Sequence, residues 1–114
     1  MPPSIVVVIR EDPKKTHRAV EALRIALGLS TGDNPMTVVL LGQAPLLISE
    51  DSDELVDGEI LEKYLPSFKQ LEIPFTLLSG SASNFELDPE FKIEELEDDA
   101  IRSLVSGADR VLVF

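Results

Sequence analysis

Four short apolar runs, too short for helices and rich in β-branched residues, divide the chain. They occupy residues 5–9, 36–41, 73–78 and 110–114. Each run is nearly continuous rather than alternating with polar residues, which is typical of strands that are buried on both faces of a parallel sheet. The sequence therefore predicts a mainly parallel sheet of four to five strands.

Three segments with helical periodicity lie between these runs. They cover 13–29, a stretch from about 57 onward, and about 93–106. Asp12 followed by Pro13 is a start signal for the first helix, and Pro66 is expected to kink or restart the second. Because strands and helices alternate, the pattern predicts a three-layer α/β/α sandwich. The length is that of one core, so residues 1–114 are predicted to form a single domain.

Composition excludes several classes of chemistry and of partner. The sequence contains no cysteine, which excludes disulfides, thiolate nucleophiles and cysteine-ligated metals. Its formal net charge is −11, the wrong sign for binding nucleic acid or an anionic membrane. No apolar run approaches the roughly 20 residues that span a bilayer. The first residues lead into an apolar run without a basic segment, so we expect a cytoplasmic protein.

Basic residues cluster around the predicted loop after the first strand. They are Arg10, Lys14, Lys15 and Arg18. This loop is predicted at the carboxyl edge of the sheet, where ligands bind in open α/β folds. Lys14 and Lys15 are candidates for binding an anion near a helix N-terminus. The loop contains no glycine, so it is neither a P-loop nor a dinucleotide fingerprint, and solvated charges remain the alternative interpretation.

A loop rich in hydroxyl groups follows the third predicted strand. With the two lysines added, the candidate ligand-binding residues are Ser79, Gly80, Ser81, Ser83, Lys14 and Lys15. Ser79 needs a base to act as a nucleophile, and His17 is the single histidine of the sequence. In the alternative interpretation the loop is a tight turn, in which Gly80 supplies backbone freedom and the serines satisfy backbone groups.

Acidic residues crowd the segment 50–59, but they lack the spacing of an EF-hand loop. A solvated loop with charges near a helix N-terminus is expected instead. His17 has no second ligand of its kind nearby and is expected at the surface. The sequence therefore predicts no metal site, no cofactor and no catalytic residue, and enzymatic activity is the least supported class of function.

Three stretches together carry a family resemblance. They read Val-Val-Leu-Leu-Gly-Gln-Ala-Pro-Leu-Leu at 38–47, Leu-Leu-Ser-Gly-Ser-Ala at 77–82, and Ala-Asp-Arg-Val-Leu-Val-Phe at 108–114. In this order they resemble the second strand, the third strand and the closing strand of the DsrE/DsrF-like proteins, a family that includes subunits of sulfur-relay complexes. The resemblance extends over nearly the whole chain and implies a single DsrE-like domain.

One departure from the family pattern bears on function. Sulfur-carrying members place a cysteine after the third strand, commonly as Cys-Gly, and sometimes a second cysteine three residues later. Those positions are Ser79-Gly80 and Ala82 in this sequence. Because a hydroxyl cannot hold a persulfide, the resemblance implies a member that is unable to carry sulfur itself.

The resemblance implies a non-catalytic subunit or binding module, a partner in a sulfur-relay type assembly. It also implies a homo-oligomer, a trimer or hexamer, or assembly with related DsrE-like subunits. Apolar residues at 45–48 exceed what the core requires, so we expect them at an interface. The alternative function is a small-ligand or anion-binding protein that uses the loop after the third strand.

Overall fold

The computed structural model describes residues 3–30, 32, 34–50 and 55–114. Within these residues the strands are β1 (Ile5–Ile9), β2 (Met36–Leu40), β3 (Phe75–Leu78), β4 (Ile93–Leu96) and β5 (Arg110–Val113). The α-helices are α1 (Arg18–Leu29), α2 (Gly58–Leu71) and α3 (Asp98–Gly107). Two short 3-10 helices follow β2 and β3, at Ala44–Ile48 and Ala82–Asn84.

The five strands form one sheet in the order β4-β3-β2-β1-β5, and every neighbouring pair is parallel. The chain therefore starts near the middle of the sheet, extends to one edge at β4, and then crosses back to the other edge at β5. Helices cover both faces of the sheet. The predicted α/β/α sandwich with a parallel sheet is confirmed.

The larger part of the core lies on the face that packs against α1 and α2. Alternate residues of β1, among them Val7 and Ile9, meet the small side chains of α1 there, such as Ala19 and Ala22. Phe75 of β3 packs between two other rings, with centroids 5.5 Å from Phe68 of α2 and 5.5 Å from Phe91. All these side chains are buried, so this face supplies most of the apolar burial that stabilises the fold.

The opposite face of the sheet is covered by α3, and its buried cluster is small. The cluster consists of Val6, Val8, Val39 and Ile101. Ile101 is the one buried residue of α3, whereas α1 buries five. This asymmetry leaves part of the sheet face exposed.

The first residues of the predicted third helix form strand β4 instead. Ile93–Leu96 pairs with β3 in parallel register, with Thr76 opposite Glu94 and Leu78 opposite Leu96. The two glutamates favour a helix in isolation. Hydrogen bonding to the free edge of β3 outweighs that local preference, and charged residues are common on an edge strand. The expectation of a helix from about 93 was wrong, and α3 begins at Asp98.

The start signal at residues 12–13 forms a turn rather than the first turn of α1. The carboxylate Oδ1 of Asp12 accepts a hydrogen bond from the backbone N–H of Lys14 at 2.9 Å, and its carbonyl accepts one from that of Lys15 at 3.0 Å. Pro13 is buried, and its carbonyl accepts a hydrogen bond from the N–H of Val56 at 2.8 Å. These contacts hold the loop in place, so α1 begins five residues later than expected, at Arg18.

The helix α2 continues through Pro66, so of the two outcomes expected there, a kink or a restart, the restart does not occur. Residues 62 and 66 are exposed, so water can satisfy the carbonyl that loses its partner. The apolar residues at 45–48 are not an exposed surplus, because Pro45, Leu47 and Ile48 are buried in a 3-10 helix that completes the core.

Candidate functional site

The loops after β1, β2 and β3 come together at the carboxyl edge of the parallel sheet. The loop after β1 contains the basic cluster, and the loop after β3 contains the serines. This arrangement is the one expected for a binding site in an open α/β sheet. The local geometry of each loop determines what it can bind.

The serine loop uses its polar groups to hold its own shape. Gly80 has a φ of +85°, a left-handed conformation that favours glycine. The Ser81 hydroxyl donates a hydrogen bond to the carbonyl of Leu78 at 2.6 Å, and the Ser83 hydroxyl donates one to the carbonyl of Gly80 at 3.0 Å. Ser79 is exposed, and its backbone N–H donates to the carbonyl of Leu96 at 2.8 Å. The serines therefore stabilise a turn at the end of β3.

The carboxylate of Glu95 accepts a hydrogen bond from a backbone N–H of the serine loop. Oε1 of Glu95 accepts a hydrogen bond from the N–H of Ala82 at 3.0 Å. A negative charge at this place opposes the binding of an anion to the loop. Sequence reasoning missed Glu95 because it placed residue 95 in a helix, and only the pairing of β4 with β3 brings this side chain to the loop.

The two candidate lysines lie in the loop after β1, and both are exposed. Lys14 lines a cavity of about 250 Å³, to which Leu46, Ser49, Asn84 and Glu86 also contribute. Of the six predicted ligand-binding residues, which all belong to the described part of the chain, Lys14 alone lines this cavity. Asn84, the last residue of the 3-10 helix after β3, lines the same cavity as Lys14.

A second polar cluster, formed by Lys69, Asp88 and Glu90, was not predicted. Nζ of Lys69 lies 2.7 Å from Oδ2 of Asp88, 3.0 Å from Oε2 of Glu90 and 4.9 Å from the centre of the Phe91 ring. The hydrogen bond with Asp88 raises the pKa of Lys69, and the same bond lowers the pKa of Asp88. The partners are 19 and 21 residues apart in the sequence, so no local pattern reveals them.

Asp109, in the closing stretch 108–114, has a structural role. Its Oδ2 accepts a hydrogen bond from the N–H of Ser4 at 2.8 Å, and its own N–H donates to the Ser4 hydroxyl at 3.1 Å. The N–H of Arg110 donates to the carbonyl of Ser4 at 3.0 Å. These reciprocal bonds align β5 beside β1 at the start of both strands.

Neither a family model nor a curated protein sequence matches this chain. Among solved structures, the crystal structure of the YchN protein from E. coli is similar, with a TM-score of 0.76 and 18% sequence identity. The similarity covers 100% of both chains. The chain has a DsrE-like fold. At this identity the similarity shows the fold alone, and the resemblance noted in the sequence is confirmed at that level.

Two other features, namely membrane-spanning helices and groups of metal-binding side chains, are absent from the described residues. None of their helices is long and apolar enough to cross a membrane. Among the same residues no group of three or more histidine and acidic side chains is arranged to hold a metal ion. Part of the acidic segment at 50–59 lies outside the described residues, namely 51–54.

Proposed function

We propose that this protein is a non-catalytic, self-associating subunit with a DsrE-like fold, a partner in a sulfur-relay type assembly that does not itself carry sulfur. The observation that carries this proposal is the exposed apolar part of the sheet face beside α3. The chemistry of the β3 exit and the charge of the loop after it give further support.

The exit of β3 lacks the group that sulfur transfer needs. Ser79 stands where the family resemblance implies the carrier cysteine, and it is exposed at the end of its strand. A thiolate is the nucleophile and the persulfide carrier in such chemistry, and a serine hydroxyl cannot replace it. A role for this chain in sulfur relay must therefore depend on contact with another subunit.

Three large apolar side chains are exposed on the sheet face beside α3. Val111 and Val113 lie opposite Val6 and Val8 in the register of β5 with β1, so all four point to this face. Leu78 shares the face because Thr76, two residues earlier, lies opposite Val39. The exposed fractions are 40% for Leu78, 36% for Val111 and 52% for Val113.

The length of α3 and the width of the sheet explain why these side chains are exposed. A helix of ten residues is about 15 Å long. Five strands spaced about 4.8 Å apart span about 19 Å, and each strand adds its own length to the surface to be covered. One such helix cannot cover the whole face, whereas two longer helices cover the other. Leu78 on β3 and the two valines on β5 lie on either side of the strands that α3 covers. A second copy of the chain, docked on the open part at β5, would complete the third layer there.

The alternative function, anion binding at the serine loop, gains less from the structure. Glu95 already accepts the Ala82 N–H there, and the Ser81 and Ser83 hydroxyls donate to carbonyls within the loop. The cavity that Lys14 lines also contains the acidic Glu86. No contact given above for the serine loop or for this cavity supports the binding of an anion more than the binding of a protein.

The test compares two lysine substitutions by light scattering on a size-exclusion peak. Val113→Lys places a charge in the exposed apolar area and is expected to reduce the molar mass to that of the monomer. Ile60→Lys is the matched control, because Ile60 is 42% exposed but lies on α2, across the sheet from α3. It should leave the mass of the oligomer unchanged. If both folded variants keep the wild-type mass, the exposed apolar part of the sheet face beside α3 is not the interface.

A further inference from the structure

A groove of about 730 Å³ lies at the amino edge of the sheet, opposite the edge where the loops with candidate residues meet. Its walls come from the starts of β1 and β2 and from the ends of the three α-helices. Ile5, Met36, Ile73 and Leu104 contribute apolar surface to it. Its volume falls within the range typical of small-molecule sites.

Glu72 is the charged residue among the described residues that line this groove. It follows the last residue of α2, and its backbone adopts a left-handed conformation with φ +54° and ψ +38°. The N–H of Ile73 donates to the carbonyl of Phe68, and that of Glu72 to the carbonyl of Lys69. These two bonds form a Schellman motif, in which the position of Glu72 is usually glycine.

A glutamate at this position is unfavourable for two independent reasons. The left-handed conformation strains a residue that has a Cβ and cannot form the local hydrogen bonds available to Asn or Asp. A negative charge at the C-terminal end of a helix also meets the negative end of the helix dipole. Asp57 also has a positive φ, of 59°, but aspartate tolerates this conformation better. Glu72 therefore destabilises the fold through both its conformation and its charge, and it lines the groove. This combination indicates a role in binding.

The electrostatics of the groove favour a cation. Ser30, which caps the end of α1, lines the groove together with Leu71 and Gly107, the last residues of α2 and α3. The partly negative ends of three helices therefore converge on one space. No basic residue is among the described residues that line the groove, and Arg110 lines instead a smaller neighbouring cavity of about 280 Å³ that shares Ile5 and Asn34 with it.

We propose that this groove binds a small organic cation with an apolar body, whose ammonium group pairs with the Glu72 carboxylate. The apolar stem packs against Ile5, Met36 and Leu104, and the convergent helix ends strengthen the attraction for positive charge. This site lies at the edge opposite the carboxyl-edge loops, although Val6 and Leu104 of its lining also belong to the side of the sheet that α3 covers. The proposal rests on Glu72 and the helix ends, which the proposed function does not use.

The first experiment titrates three probes of equal chain length into isotopically labelled protein and follows the amide resonances. Hexylammonium is expected to shift the amides of Thr37, Ile73 and Ser103, which line the groove. Hexanol should shift the same amides at higher concentration, and hexanoate should not bind. Adding salt should weaken the binding of hexylammonium, because exposed charge pairs are screened. Equal binding of hexanoate, shifts elsewhere on the molecule, or no shifts with hexylammonium would overturn the proposal.

The second experiment uses variants of the acidic residue. Glu72→Gln removes the charge and should weaken hexylammonium binding about 1.5-fold to fivefold, the range for an exposed ion pair. Glu62→Gln removes a charge from an exposed position of the same helix and should leave the affinity unchanged. Glu72→Gly should raise the melting temperature by about 3 °C while weakening binding, since glycine relieves the strain. An unchanged affinity in Glu72→Gln, or a lower melting temperature in Glu72→Gly, would contradict the assignment.

Discussion

Lys69 connects parts of the molecule that are distant in sequence. Its ammonium group bonds to Asp88 and Glu90 in the segment before β4, and it lies over the ring of Phe91. The side chains of Lys69 and Asp88 are 29% and 24% exposed, so the pair is partly shielded from water. Phe91 packs in turn on Phe75, and the cluster thereby holds the segment before β4 against the core.

Lys69→Met is expected to lower the free energy of unfolding by about 1 kcal/mol at pH 7, because it retains the apolar stem but leaves Asp88 without its cation. Lys63→Met, at an exposed position of the same helix, is the matched control and should change stability little. Urea denaturation monitored by circular dichroism measures both differences.

The same pair predicts a dependence on pH. The hydrogen bond with Lys69 lowers the pKa of Asp88 below its usual 3.8. Its contribution to stability is therefore present above pH 3.8 and is lost as the pH falls through the lowered value. The pKa of Lys69 is raised above 10.5, so its contribution is present below that pH and is lost as the pH rises through the raised value. The difference between wild type and Lys69→Met should shrink as the pH falls below 3.8 and through the lowered pKa of Asp88, and a constant difference would contradict the pairing.

At the scale of elements, the parts of the fold that follow from local pattern were predictable. The strands β1, β2 and β3 appear as apolar runs, and the stripe of α1 appears as a repeat of three and four residues. The strand β4 was missed because Ile93–Leu96 has two exposed glutamates and borders α3 directly, so that nothing local separates it from the helix. Its strand structure comes from pairing with β3, which is a tertiary effect.

The candidate site was predictable to a similar extent. The sequence places Ser79 and Gly80 at the end of a strand, and the structure finds them there. It could not reveal the contact of Glu95 with Ala82 or the groove at the amino edge, because each depends on elements that meet only in the folded molecule. Even Glu72 has no local signal, since a left-handed conformation at this residue is visible only in the backbone.

The hydrogen bonds between Asp109 and Ser4 predict how a substitution will affect the pairing of β5 with β1. Asp109→Ala removes the acceptor of the Ser4 N–H and should lower stability by about 1 kcal/mol. Hydrogen exchange should become faster at the amides of Ser4 and Arg110, which lie at the start of the β1–β5 pair. Glu94→Ala removes an exposed charge from the opposite edge strand and serves as control. Unchanged exchange at Ser4 would show that β5 is aligned without Asp109.

At the scale of the whole molecule, charge and apolar surface act in opposite directions on self-association. The formal net charge of −11 repels other copies of the chain. The exposed side chains Leu78, Val111 and Val113 favour burial against another surface. Because salt screens the repulsion and strengthens apolar burial, the association should become tighter as the salt concentration rises.

Sedimentation equilibrium over a range of protein and salt concentrations measures the proposed self-association. We expect a mass that is a multiple of the 12.5 kDa chain, with three or six copies as the resemblance to the DsrE/DsrF-like proteins implies. Removing salt should weaken the proposed self-association, so that the oligomer dissociates at a higher protein concentration than it does at moderate salt. A mass of one chain at every protein concentration and at moderate salt would contradict it, and so would an oligomer that salt disrupts.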